Sequence, residues 1–134
     1  MTGRTAARIT AGLLAVVVAF QVALVLGAPW GAFTQGGGNV GVLPTSGRAF
    51  AFVSILIVGL MAVTILARAG EGPMTAAPRR LVTVLSWLTM IYMGLAIIVN
   101  LITPSPSERM VWAPMSVMIF GFAVTTMVKT ARGR

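Results

Sequence analysis

The chain has 134 residues, of which 57% are hydrophobic and 9% charged, and its formal net charge is +8. A water-soluble domain keeps about a quarter of its residues charged, so that class is excluded. With no histidine and no cysteine, zinc sites, histidine-ligated haem, imidazole bases and thiol nucleophiles are excluded too.

Four runs carry no charged residue: Ile9–Ala28, Ala49–Ala67, Leu81–Ile102 and Val111–Val128. Each is about 18–22 residues long, so as a helix each covers about 27–33 Å, the thickness of a bilayer's hydrocarbon core. The expected fold is all-α, a four-helix transmembrane bundle forming one domain over residues 1–134, with spans near 9–28, 49–67, 81–102 and 106–128. The spans and their connections use nearly the whole sequence, which leaves no separate soluble domain in it.

The first run has a basic lead-in and ends on small residues, as a secretory signal peptide does. Its apolar stretch is about 20 residues, longer than the usual 7–15, and it reads as an uncleaved span. Pro29 is expected to end that helix. Along it, Ala11, Ala15, Ala19, Ala23 and Gly27 recur every fourth position. In lipid, close backbone approach drives helix association, and such a ridge suits a right-handed crossing of about −40°. Two readings fit: packing inside the bundle, or a seam between copies. Gly59, Gly94 and Gly121 offer one close-approach point on each of the other helices.

The first outer connection, from Pro29 to about Gly47, holds Gly31, Gly36, Gly37, Gly38, Gly41 and Pro44 and is irregular. Trp30 and Phe33 draw it into the interface. The connection from Arg68 to Arg80 is short and turn-rich, with Gly70, Gly72, Pro73 and Pro78. The second outer connection is shorter still. There Ser105, Pro106 and Glu108 read as N-cap, N1 and N3 of a capping box that starts helix four. Pro114 falls inside that helix and removes one backbone bond.

Basic residues fix the orientation. Arg4 and Arg8, then Arg68, Arg79 and Arg80, then Lys129, Arg132 and Arg134 flank one side of the spans, whereas only Arg48 and Arg109 flank the other. The positive-inside rule places both termini and the middle connection in the cytoplasm. The localisation that follows is the cell (plasma) membrane, multi-pass. The basic excess is thus a topology signal with a secondary attraction to anionic lipid. No basic patch is interleaved with exposed aromatics, so nucleic acid is not an expected partner.

The two hairpins look weakly alike. Arg48, Ser54 and Gly59 follow the first outer connection, and Arg109, Ser116 and Gly121 follow the second. This pattern is either a 2+2 parallel internal repeat or a chance likeness between apolar helices.

Few residues are left for chemistry. Glu71 and Glu108, the two carboxylates, fall on opposite sides of the membrane, whereas a glycosidase-type pair sits within about 10 Å. No phosphate-binding glycine loop occurs. The length and span count match the small multidrug transporters, but those rely on a glutamate inside helix one, where this chain has only Gln21. Gln21 and Asn100 are amides in hydrocarbon and need partners. They either hydrogen-bond between helices or line a small outward-facing polar pocket with Arg48, Glu108 and Arg109 around its mouth. The span serines and threonines return their hydroxyls to their own helices. Met90 and Met93, with Met115 and Met118, read as gap-fillers or, less readily, as thioether ligands for Cu(I). No cofactor is expected.

Two segments look familiar in combination: Gly27-Ala28-Pro29-Trp30-Gly31 with Gly36-Gly37 and Leu43-Pro44, and Thr103-Pro104-Ser105 with Glu108-Arg109 and Trp112-Ala113-Pro114. They resemble an uncharacterised family of small four-helix bacterial membrane proteins, and the Ala-, Val-, Arg- and Gly-rich usage resembles that of high-GC actinobacteria. The resemblance implies no activity and no site residue. The expected role is non-catalytic, as an accessory or structural subunit of a membrane complex or as a homo-oligomer in the lipid bilayer. The alternative is a passive facilitator or binder of a small lipophilic compound through the outer pocket.

Overall fold

The computed structural model describes residues 1–131; Arg132 and Arg134, counted above among the basic flanks, lie outside the described residues. Four helices follow one another: α1 (Gly3–Val25), α2 (Thr45–Arg68), α3 (Arg79–Ile102) and α4 (Pro106–Ala131). All four are long and apolar enough to cross a membrane, and the chain is an all-α, four-helix membrane protein. Successive helices run antiparallel. One end of the bundle carries the N-terminus, the end of α4 and the 69–78 turn; Gly3 lies against Lys129 and Thr130 there. The other end carries the 26–44 loop and the 103–105 turn, and is called the loop end below.

Local chemistry sets the boundaries. Thr2 caps α1, its hydroxyl accepting from Thr5 N–H at 3.1 Å. The helix therefore starts well before the apolar run. It also ends at Val25 rather than at Ala28. Gly27 adopts φ +100°, and Ala28 N–H donates to Ala23 O at 2.9 Å while Gly27 N–H donates to Leu24 O at 3.1 Å. That is a Schellman stop with glycine at the left-handed position. Gly27 is a helix terminator, then, and not the last member of a packing ridge. Gly70 ends α2 in the same way, with Glu71 N–H on Leu66 O at 2.9 Å. At the start of α4, Ser105 is the N-cap, as expected: its hydroxyl accepts from Glu108 N–H at 3.2 Å. α4 runs unbroken through Pro114.

The buried seams recur every three and four residues in alternation. On α1 the inward positions are Ala7, Thr10, Leu14, Val17, Gln21 and Leu24; on α2 they are Ala51, Ser54, Val58, Met61, Ile65 and Arg68. α3 turns in Val82, Ser86, Thr89, Met93, Ala96 and Asn100, and α4 turns in Ser116, Ile119, Ala123, Thr126 and Thr130. A 3.5-residue period is the spacing of left-handed packing, not of the right-handed crossing that the alanine ridge implied. The ridge itself points away from the bundle. Ala15 and Ala19 are exposed, Ala11 and Ala23 half-buried. Gly59 and Gly121 also meet no neighbour within 4 Å, and Gly94 meets only the Phe120 ring at 3.7 Å. None of these glycines is a point of close approach within the chain.

Leu14, Val58, Met61, Met93 and Ile119 form the central core cluster, to which every helix contributes. Seam hydroxyls return to the carbonyl four residues back, as from Thr10 to Ala6, Ser86 to Val82 and Thr126 to Phe122. Packing is uneven around the ring. α1 lies tightly against α2 and α4, and α3 against α4, while α2 and α3 touch least of the neighbouring pairs.

Candidate functional site

The 26–44 loop is built as a cover over the loop end. Two single 3₁₀ turns, Gly31–Phe33 and Gln35–Gly37, fold it back on itself. Gly31 N–H donates to Gly41 O at 3.0 Å. No side chain fits at Gly31, since a Cβ would lie 1.6 Å from Asn39 O. Three bonds tie the cover to α4: Trp112 Nε1–H donates to Phe33 O at 2.8 Å, Ser105 Oγ–H donates to Ala32 O, and Gly36 N–H donates to the Glu108 carboxylate at 3.0 Å. Phe20 of α1 stacks on Trp30 at 5.9 Å and meets Trp112 edge-on at 4.8 Å. Gln35 completes the clamp, donating to Gly47 O at 2.8 Å.

Beneath this cover lies a cavity of about 350 Å³. Leu14, Val58, Met93 and Ile119 make its floor, and Gln21, Thr34, Asn100 and Glu108 gather toward the cover. On its open side stand Tyr92, Leu95 and Val99 of α3, all exposed, facing the sparse α2–α3 seam. A second cavity of about 340 Å³ adjoins it, sharing Gln21, Thr34 and Ser54 and reaching Gln35 and Phe50. The pair forms one cleft that borders the sparse seam between α2 and α3.

Of the five expected pocket residues, the structure brings together Gln21, Asn100 and Glu108. The two amides differ in their partners. Asn100 Nδ2 donates to Ser116 Oγ at 2.6 Å and to Trp112 O at 3.4 Å, a bond between α3 and α4. Gln21 has no hydrogen-bond partner among the described residues, although it lines both cavities.

Arg48 and Arg109 lie outside the cavity. Arg48 donates through Nε and Nη2 to Val25 O at 2.9 and 2.6 Å, and Arg109 donates through Nη2 to Thr103 O at 2.7 Å. Each arginine of the loop end thus covers a terminal carbonyl of the preceding helix, where cations are favoured. The two hairpins repeat this device.

Glu108 stands in the first turn of α4, as expected of N3, but is buried to 9% exposure rather than set at the outer surface. Its carboxylate does not reach back to Ser105 N–H as a capping box would; Ser105 N–H donates to Thr103 Oγ1 instead. Glu108 Oε2 accepts from Gly36 N–H and from Thr103 Oγ1–H, while Oε1 accepts nothing from the described residues. No arginine or lysine among them forms an ion pair with it; Glu71, at the other end, pairs with Arg8 and Arg4. There Arg8 grips Glu71 with two bonds of 2.9 and 2.7 Å. Arg8 holds the Glu71 carboxyl below the usual glutamate range, chiefly through these hydrogen bonds.

Sequence reasoning missed the cover's grip on Glu108, because Gly36 and Glu108 belong to different hairpins. It also missed Thr34, Ser54 and Tyr92 as cavity residues. One signal was available: Thr10 and Gln21 sit on a single heptad face of α1, and polar residues in spans turn inward.

Among the described residues no three His, Cys, Asp or Glu side chains cluster as metal ligands, and the four methionines expected as pairs are spread over the core and the surface. No protein-family model, curated protein or solved structure matches the chain.

Proposed function

We propose that this protein is a non-catalytic membrane protein that binds a small lipophilic compound in the cleft under the 26–44 loop. The observation that carries the reading is Gln21, an amide within a span and without a hydrogen-bond partner among the described residues, placed on a cavity with an apolar floor. An unpaired amide in hydrocarbon costs several kcal/mol, and a bound polar group would offset that cost. The cavity volume falls in the range of small-molecule sites, about 300–1,000 Å³. Its apolar floor is the bundle core itself, which favours a binder over a facilitator. Entry between α2 and α3 suits a compound that arrives from the lipid. The positive-inside rule places the loop end outside a cell membrane and both termini in the cytoplasm.

The test is calorimetric titration of decanol into the protein in zwitterionic nanodiscs, with empty nanodiscs subtracted. Ala96 lines the cavity, and Ala96→Phe fills it. Saturable binding is expected in the wild type and lost in Ala96→Phe. No saturable binding in the wild type, or equal binding in a folded Ala96→Phe, refutes the proposal.

A second reading rests on the outward face of α1. Gly12 has open space around it, and Ala15 and Ala19 are exposed. A flat small-residue face suits another transmembrane helix, as in an accessory subunit or a homo-oligomer.

A further inference from the structure

We propose that the compound bound in the cleft is a lipophilic ammonium ion, held by Glu108; this rests on the binding reading above and names its ligand class. The carboxylate is nine-tenths buried, lines the larger cavity and leaves Oε1 without a donor among the described residues. An ammonium group in the cavity would donate a charge-assisted hydrogen bond to that open oxygen. The nearest basic residue in sequence, Arg109, is tied to Thr103 O.

The surroundings select an organic cation over a metal ion. Hard cations take six or more oxygen ligands, and the cavity offers a single carboxylate. Trp112 and Tyr92 line the same cavity, and aromatic faces attract ammonium groups. The polarity runs in the direction an amphiphile needs. Glu108 and Gln21 sit toward the cover, Met93 and Val58 toward the middle of the bundle, and entry along the α2–α3 seam sets a molecule's head at the interface and its tail inward. The chain's net charge of +8 repels cations in general, so a preference for one must originate locally.

The experiment compares protonated decylamine with decanol on the wild-type protein in zwitterionic nanodiscs near neutral pH. The amine is expected to bind roughly tenfold more tightly than the alcohol. Glu108→Gln, which keeps the side chain's shape, should bring the two to parity by weakening the amine alone. Gln21→Leu should weaken both ligands and leave the amine preference in place. Equal affinity of the two ligands for the wild type overturns the proposal but leaves the binding reading standing. A preference that survives in Glu108→Gln also overturns it. If Glu108→Gln does not assemble, the wild-type ratio and Gln21→Leu decide. Failure of both ligands to bind refutes the binding reading itself.

Discussion

Gln21→Leu and Asn100→Leu are the same chemical change at two amides within spans, and the structure predicts different outcomes. Asn100 loses a bond of 2.6 Å to Ser116 and a longer one to Trp112 O. Interhelical hydrogen bonds in membranes are worth about 0.6 kcal/mol on average and up to about 1.7. Ser116 keeps its own bond to Trp112 O at 2.7 Å, so no orphan is left behind. Asn100→Leu should therefore cost about 0.6–1.7 kcal/mol. Gln21 makes no side-chain bond among the described residues, and its replacement removes none there. Gln21→Leu should stabilise the ligand-free protein, because it removes an unpaired amide and leucine is better solvated by hydrocarbon. Reversible unfolding in mixed micelles, followed by the far-UV helix signal, measures both. An Asn100→Leu/Ser116→Ala double-mutant cycle isolates the interhelical term. If Gln21→Leu destabilises as much as Asn100→Leu, the Gln21 amide is bonded within the bundle and does not serve the cavity.

Three further outcomes follow from the geometry. Gly31→Ala places a Cβ against Asn39 O and should cost about 1–3 kcal/mol in the same unfolding assay, whereas Gly38→Ala, with nothing within 4 Å of its Cβ, should be neutral. Glu71 should titrate below the ordinary glutamate value of about 4.3 in an NMR pH titration, and Arg8→Ala should move it upward. The sign is that of a depressed carboxyl: the pair's contribution is present at neutral pH and is lost as pH falls through the lowered value. Ala19→Leu, on an exposed face, should leave the monomer's stability within about 0.5 kcal/mol; loss of chemical crosslinking to another chain in the same variant would support the accessory-subunit reading, and unaltered crosslinking would remove it.

The elements that local rules control were legible in the sequence. Uncharged runs gave four helices, and Ser105 with Pro106 gave the start of α4, because capping involves neighbours three residues apart. Helix faces were harder to read. The alanines of α1 repeat every fourth residue, but the true seam follows Thr10, Leu14, Val17, Gln21 and Leu24 at a mean spacing of 3.5. In lipid, apolar residues suit either face, so only the polar members mark the inside. Gly27 looked like part of a ridge because its left-handed backbone is invisible in a list of small residues. For the site, polarity and depth singled out Gln21 and Asn100, while Glu108 was grouped with Arg48 and Arg109 at the pocket mouth. The separation of Arg48 and Arg109 from Glu108 was not legible, because it depends on terminal carbonyls competing for the guanidinium groups. The burial of Glu108 depends on Gly36, 72 positions away, and no local pattern reports such a contact.

Photolabelling tests the central claim most directly. A decylamine carrying a diazirine in its chain would be irradiated with the protein in nanodiscs and its adducts mapped by mass spectrometry. The account predicts adducts concentrated on the cavity residues Met93, Val99, Met115 and Trp112, with competition by unlabelled decylamine. Adducts spread evenly over exposed positions such as Leu60, Leu88 and Val128, insensitive to competitor, would contradict it.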